Sequence, residues 1–214
     1  YSTGATFKNC ASISNNIQSM AYGGGFVGES DDDYGVGNST YTNCYTADCS
    51  VNATTPDSQG TSFAGGFIGM IVSDIALTNC YAYKSVLSTE GTSANNVAAG
   101  VFAASYFDNN GYTASINTTN CYYGECAVTT NVGSATEKTS KEFTDGTVAN
   151  ALGDVFVQGK LYPVFATDPA DYSTVDAAIA KANALNKSDY TDFTAVESAV
   201  NAVVRNKKIA EQSE

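Results

Sequence analysis

Two hydrophobic rhythms divide the chain. Up to about residue 135 the apolar positions come in short clusters, set among small residues, that recur at long intervals. The pair Asn-Cys occurs four times there, as Asn9-Cys10, Asn43-Cys44, Asn79-Cys80 and Asn120-Cys121, at intervals of 34, 36 and 41 residues. The first pair reads NCASISN; the other three run into tyrosine, as NCYTADC, NCYAYKS and NCYYGEC. A second stretch repeats between them. AYGGGFVGES at 21–30 aligns with SFAGGFIGMI at 62–71 and NVAAGVFAAS at 96–105. This alignment sets Gly25, Gly66 and Gly100 in one column, Phe26, Phe67 and Val101 in the next, and Gly28, Gly69 and Ala103 in a third. Each unit is expected to hold two short strands, one at Asn-Cys and one at the glycine stretch, joined by a polar turn and closed by a variable loop.

A unit with two short strands cannot bury its own apolar face, whereas a stack of such units can, which is the logic of a solenoid. Equivalent strands would pair in parallel about 4.8 Å apart, like residue on like. The glycines then serve tight turns and close backbone approach. A phosphate-cradling loop is the competing reading of the glycine run. It fails on context: no Lys-Ser/Thr follows, no helical pattern follows GGFVGES, and the motif recurs.

The second rhythm starts after FATDPADYS. Ser173 is positioned as a helix N-cap with Asp176 as its capping-box partner. Val175, Ala178, Ile179, Ala182 and Leu185 recur at helical spacing. NKSDYTD reads as a turn, and a second helix from about Thr191 carries Phe193, Val196, Val200, Val203 and Val204. The two predict a small C-terminal α-helical hairpin.

GGFVG and GGFIG, alternating with NCY strands, resemble the GLUG motif repeats of bacterial surface proteins, among them adhesin-like proteins and streptococcal IgA-peptidase-type polypeptides. The resemblance implies a mainly β fold, a right-handed parallel β-helix-like solenoid over 1–135, with AAGVFAA as a degenerate third motif. Residues 136–167, with EKTSKEFTDGTVANALGDVFVQGKLYPVF, resemble the closing segment that follows such repeats and imply a cap on the last coil. Residues 168–214 are similar to the FIVAR family, small helical modules of secreted Gram-positive proteins, LNKSDYT being the most specific part. That family implies a third helix, which would begin at KKIAEQSE, so the module is expected to be incomplete.

Composition narrows the function classes. The formal net charge is -12 and histidine is absent, which removes Ser-His-Asp and Cys-His catalysis and imidazole metal ligands. An acidic surface repels phosphate backbones and anionic bilayers, so neither nucleic acid nor direct membrane insertion is expected. No run of 18 apolar residues exists. Tryptophan is absent, but 14 tyrosines offer aromatic surface. Richness in Tyr, Thr, Ser, Asn and Gly with few lysines fits a secreted or cell-surface protein. The start at Tyr1, without methionine, reads as a monomeric piece of a larger polypeptide.

Four sets of residues could carry chemistry. Cys10, Cys44, Cys80 and Cys121 share a column, while Cys49 and Cys126 share another, two units apart at about 10 Å, beyond disulfide reach. At least two thiols should therefore be free. Small buried hydrophobes are the expected role for all six, with one or two disulfides between neighbouring units the alternative. With the cysteines inward, Tyr45, Tyr81 and Tyr122 point outward, with Tyr83 and Tyr123 nearby. They form either a sheet-stabilising ladder or a platform for a glycan or a host surface protein. Four residues after the cysteines stand Ser14, Asp48, Lys84 and Glu125, an ion-pair ladder or a carboxylate–lysine site with lysine as base. Glu29, Asp31, Asp32 and Asp33 form a solvated acidic loop or a Ca²⁺ site. Asn110-Gly111 signals a turn. Together these favour a non-enzymatic, adhesin-like fragment that binds polysaccharide or host protein or acts as a stalk. The rival class is a region, catalytic or not, of a β-helix carbohydrate-active enzyme or a secreted peptidase.

Overall fold

The computed structural model describes residues 2–31, 37–54, 62–90, 97–106, 108–109, 112–126 and 134–212. It is mainly β with a few short helices, and it divides into two compact units, Tyr1–Pro163 and Val164–Glu214.

Successive repeats pair strand on equivalent strand, in parallel, as the Asn-Cys intervals require. The first sheet takes Thr6–Lys8, Ser39–Thr42, Ile75–Thr78 and Ile116–Thr119. The second takes Ala11–Ile13, Tyr45–Ala47, Tyr81–Tyr83 and Tyr122–Gly124, then Thr136–Glu137 at its edge. Asn16–Ser19, Ser50–Ala53 and Val86–Thr89 form the third. Tyr22–Gly24, Ser62–Gly65 and Val97–Gly100 form the fourth, and Val27–Ser30, Ile68–Ile71 and Ala103–Tyr106 the fifth. A full repeat thus contains five short strands rather than two, because the chain bends within each segment expected to be a single strand.

Two of the bends are left-handed corners. Asn9, Asn43, Asn79 and Asn120 have φ of 55°, 52°, 52° and 51°. Asparagine tolerates this region better than most residues, since its short polar side chain bonds locally. Here the amides bond along the stack: Asn43 Nδ2 donates to Asn9 Oδ1 at 2.9 Å, Asn79 to Asn43 at 3.2 Å and Asn120 to Asn79 at 3.2 Å. The Asn of each Asn-Cys pair is therefore a corner post, and the Cys after it turns into the core. Asn43→Ala removes two of these bonds and leaves a Cβ-bearing residue at positive φ, at a cost of about 2–3 kcal/mol. Asn43→Gly restores the backbone freedom and should cost about 1 kcal/mol less. Urea unfolding followed by circular dichroism separates the two; equal losses would refute the corner argument.

The glycine stretch makes another bend, and here the observed register corrects the alignment. Gly24 lies opposite Gly65, and Gly65 opposite Gly100. Val27 pairs with Ile68, and Ile68 with Ala103. Gly100 therefore does not share the column of Gly25 and Gly66, and Phe102, not Val101, continues Phe26 and Phe67. The rings stack at 5.0 and 5.3 Å. Offset stacking of aromatic rings, together with burial, outweighs the match of one glycine to another. Gly28 and Gly69 hold the same column, and a Cβ on Gly69 would lie 2.3 Å from Gly23 O. Phe67, Phe102, Tyr41, Leu77, Cys44, Cys80 and Cys121 belong to one buried core. Strands Asp108–Asn109 and Tyr112–Thr113 pair antiparallel; the Asn110-Gly111 turn itself lies outside the described residues.

After the repeats come α1 (Ser140–Thr144) and α2 (Thr147–Leu152), then strand Phe156–Gln158. In the second unit α3 (Ser173–Asn183) and α4 (Thr194–Asn201) flank a 3-10 turn at Lys187–Asp189. Ser173 is the first helical residue and not the cap. Asp171 Oδ1 accepts its N–H at 2.8 Å, and Asp192 does the same for Thr194 at 2.8 Å. Asp176 pairs instead with Arg205 at 2.5 Å. No residue of α3 or α4 is buried, and Val175, Ile179, Val196 and Val200 line a half-open groove between them. Where a third helix was expected, the chain bridges back to Pro169 at Lys208 and closes with a 3-10 turn at Ile209–Glu211.

Candidate functional site

The tyrosine column points out of the repeats, as the alternation of side chains requires, but it does not reach solvent. Tyr45, Tyr81 and Tyr83 are 0%, 0% and 1% exposed. Residues 139–163 lie over them. Phe143 stacks on Tyr83 at 4.2 Å and meets Tyr81 at 5.6 Å; Phe156 meets Tyr45 and Tyr81 at 6.1 Å each. Tyr162 approaches Tyr45 and Tyr83 at 6.3 and 6.1 Å, and the Tyr81 hydroxyl donates to Pro163 O. Three aromatic rings side by side would make a large exposed apolar patch, and the covering segment removes it from water. Of the two readings of this column, a structural ladder or a platform for a glycan or host protein, Tyr45, Tyr81 and Tyr83 therefore follow the first: they form a packing face. Only Tyr122 and Tyr123, in the last strand that begins at an Asn-Cys pair, stay half-buried, with Lys138 Nζ 5.8 Å above the Tyr122 ring.

The cover is seated by specific fits. Tyr83 stands opposite Gly124, and a Cβ on Gly124 would lie 2.7 Å from the Phe143 ring and 2.6 Å from Lys138 O. The glycine makes room for Phe143. Thr139 begins α1 with a capping box: Glu142 N donates to Thr139 Oγ1 at 3.3 Å, and Thr139 N donates to Glu142 Oε2 at 2.9 Å. Lys138 Nζ reaches the other oxygen of Glu142 at 2.8 Å. The Lys138 ammonium first, then the Thr139 N–H and hydroxyl, hold the Glu142 carboxyl at about 2 against an ordinary 4.5. A depressed carboxyl contributes stability in full above its unfolded value. That contribution fades as pH falls from about 4.5 towards about 2. Melting temperatures across that window should therefore drop more steeply for the wild type than for Glu142→Gln, which has no charge to lose; parallel curves would refute this.

Ser14, Asp48, Lys84 and Glu125 are also brought into one column, and all four sit at left-handed corners, with φ of 53°, 53°, 54° and 47°. Lys84 Nζ lies 3.7 Å from Glu125 Oε2 with both side chains about one-third exposed, a surface ion pair of small energetic worth. Ser140 at the start of α1 donates to Glu125 Oε1, so the column ties the cover to the repeats. Burial first, then the Glu125 charge, push the Tyr83 phenol up to about 12.

Glu29 and Asp31 are half-buried around the end of strand Val27–Ser30. Asp32 and Asp33 lie outside the described residues, so the four carboxylates are not described as a set. Among the described residues no group of three or more Cys, Asp and Glu side chains is placed to hold a metal ion. No helix among them is long and apolar enough to cross a membrane.

All six cysteines are free thiols. Cys44, Cys80 and Cys121 are buried and Cys10 half-buried, each Sγ bonding the carbonyl two residues back: Lys8 O, Thr42 O and Thr78 O at 3.3 Å and Thr119 O at 3.4 Å.

No family model, curated protein or solved structure matches the chain. What the arrangement can do therefore rests on its geometry.

Two features escaped the reading from sequence. The aromatic cover had a partial signal, since Thr-Ser-Lys-Glu at 139–142 is a capping-box pattern. A buried hydroxyl cluster had none. Ser2 Oγ lies 2.8 Å from Tyr41 OH, 3.1 Å from Ser39 Oγ and 3.2 Å from Ser30 Oγ.

Proposed function

We propose that Tyr1–Pro163 is the stalk of an adhesin-like bacterial surface or secreted protein. In this reading the parallel repeats wind as a right-handed GLUG-type β-solenoid, and the helical part is a FIVAR-like module. The observation that carries it is the fate of the tyrosine column. The outward tyrosine face of the repeats is consumed by an internal cover, while asparagine, phenylalanine and cysteine columns each bond or pack to the next repeat. Side chains used up in stacking suit a load-bearing spacer with no catalytic centre of its own. Adhesion to a polysaccharide or a host surface protein would then belong to segments that the stalk presents.

Single-molecule pulling tests the mechanical half of this. Parallel in-register repeats should resist as one cooperative unit, and a low-force, gradual extension would count against a stalk. A glycan and matrix-protein array tests the other half. The stalk reading expects no retention of the chain, and retention of one glycan class with micromolar affinity would move the assignment to a binding module.

A further inference from the structure

The thiol column contains one pair that differs from the rest in access. Cys10 and Cys44 are in register on neighbouring parallel strands, because Lys8 pairs with Thr42 and Ala11 with Tyr45. Hydrogen bonds bracket them on both sides: Asn9 N donates to Thr42 O at 3.0 Å, and Tyr45 N donates to Cys10 O at 3.0 Å. In-register parallel strands stand about 4.8 Å apart, inside the window of about 4.4–6.8 Å that a disulfide spans between Cα atoms. The two thiols turn the same way, since each bonds the carbonyl two residues behind it, Lys8 O and Thr42 O. Cys10 is half-buried, and strand Ala11–Ile13 is the outermost of its sheet. Cys44 is fully buried behind it. The remaining members, Cys80 and Cys121, lie deeper along the same column.

We propose that Cys10 and Cys44 are a two-electron thiol pair, with Cys10 as the entry thiol and Cys44 as the resolving thiol, which a small disulfide such as oxidised glutathione converts into a covalent link between the first two repeats. In the first step the Cys10 thiolate attacks one sulfur of oxidised glutathione. A Cys10–glutathione bond forms, the glutathione disulfide breaks, and one glutathione leaves as thiolate to take up the proton that Cys10 gave. In the second step the Cys44 thiolate attacks the Cys10 sulfur, and the second glutathione leaves with the Cys44 proton. Two protein thiols are oxidised and one glutathione disulfide is reduced to two thiols. Burial first, then the neighbouring Cys44, push the Cys10 thiol up, so its attack calls for mildly alkaline pH. The Cys80 thiol, hydrogen-bonded to Cys44, brings the Cys44 thiol down to about 7 and so favours its thiolate as the resolving nucleophile. Burial pushes the Cys80 thiol far up, which makes it a poor competitor. Cys49 and Cys126 are separated by the intervening repeat, where Ser85 takes their place in the column. The link would pin the repeat whose outer edge pairs with no strand among the described residues.

The test treats the folded chain with oxidised glutathione at mildly alkaline pH, then counts thiols and maps disulfides by mass spectrometry of non-reduced digests. Circular dichroism before and after confirms that the fold is kept. The expected result is a fall from six free thiols to four, with a Cys10–Cys44 peptide pair as the main product. Cys44→Ser should halt at the first step and accumulate the Cys10–glutathione mixed disulfide, while Cys10→Ser should leave Cys44 reduced. A stable mixed disulfide at Cys10 in the wild type, a different pair as main product, or six unmodified thiols would each overturn the proposal.

Discussion

Gly66→Ala should break the stack, at a cost of about 3–5 kcal/mol. The added Cβ would sit 1.9 Å from Val101 O and 3.0 Å from Val101 C, and these are backbone atoms of the next repeat. They cannot move aside, because Gly66 N donates to Gly100 O at 2.9 Å and Phe67 N to Phe102 O at 2.9 Å, joining the two segments on either side of the clash. Relief would require parting the strands and unstacking Phe67 from Phe102. Gly37→Ala is the contrasting substitution. Gly37 has φ of +100° but nothing within 4 Å of the new atom, so only local strain of about 1 kcal/mol is expected. Urea midpoints of the two variants measure the difference; similar losses would mean that close approach between repeats is not what the glycine supplies.

Tyr81→Ala should be nearly as costly, about 3–5 kcal/mol, since it empties a fully buried ring site. The ring packs on Tyr45 at 4.8 Å, Phe143 at 5.6 Å and Phe156 at 6.1 Å. The loss should fall on the cover before the repeats, because the repeats keep their backbone ladders while α1 and the strand at Phe156 lose a packing partner. Limited proteolysis should therefore cut first within 139–163, at a urea concentration where circular dichroism still reports strand. Tyr81→Phe keeps the ring and loses the bond to Pro163 O, about 1 kcal/mol. If cleavage began inside the repeats instead, the cover would not depend on the tyrosine column.

The repeats were legible because Asn-Cys is a rare pair whose recurrence does not depend on spacing. What was hidden follows from where the information sits. The third glycine stretch, AAGVFAA, offers a glycine and a phenylalanine that cannot both align with GGFIG. The glycine is the louder signal in text, but the ring has the larger packing energy, so Phe102 decides the register. The second corner was invisible since Ser14, Asp48, Lys84 and Glu125 share no residue type, and three of them are poor candidates for positive φ. Their conformation is imposed by the strands on either side. The tyrosine face was correctly oriented outward, yet its burial depends on Phe143, Phe156 and Tyr162, which stand outside any repeat. Orientation is local and readable; the identity of the covering segment is a long-range fact.

The two left-handed corners stand five residues apart in every repeat, at 9 and 14, 43 and 48, 79 and 84, and 120 and 125. The bend from the fourth sheet to the fifth is equally constant, Gly24 to Val27, Gly65 to Ile68 and Gly100 to Ala103. The segments between differ in length: Ser19 leads to Tyr22 in the first repeat, but Ala53 leads to Ser62 in the second. The sequence therefore resembles a measuring tape, with two fixed spacings and a variable length between them. Insertions within the variable length are expected to leave every column in step. Duplicating the length from Asn9 to Asn43 would add a repeat while leaving the face that meets the cover, Tyr45, Tyr81 and Tyr83, as it is. Growth by copying is thus built into the corner spacing, and length can change without redesign of the end.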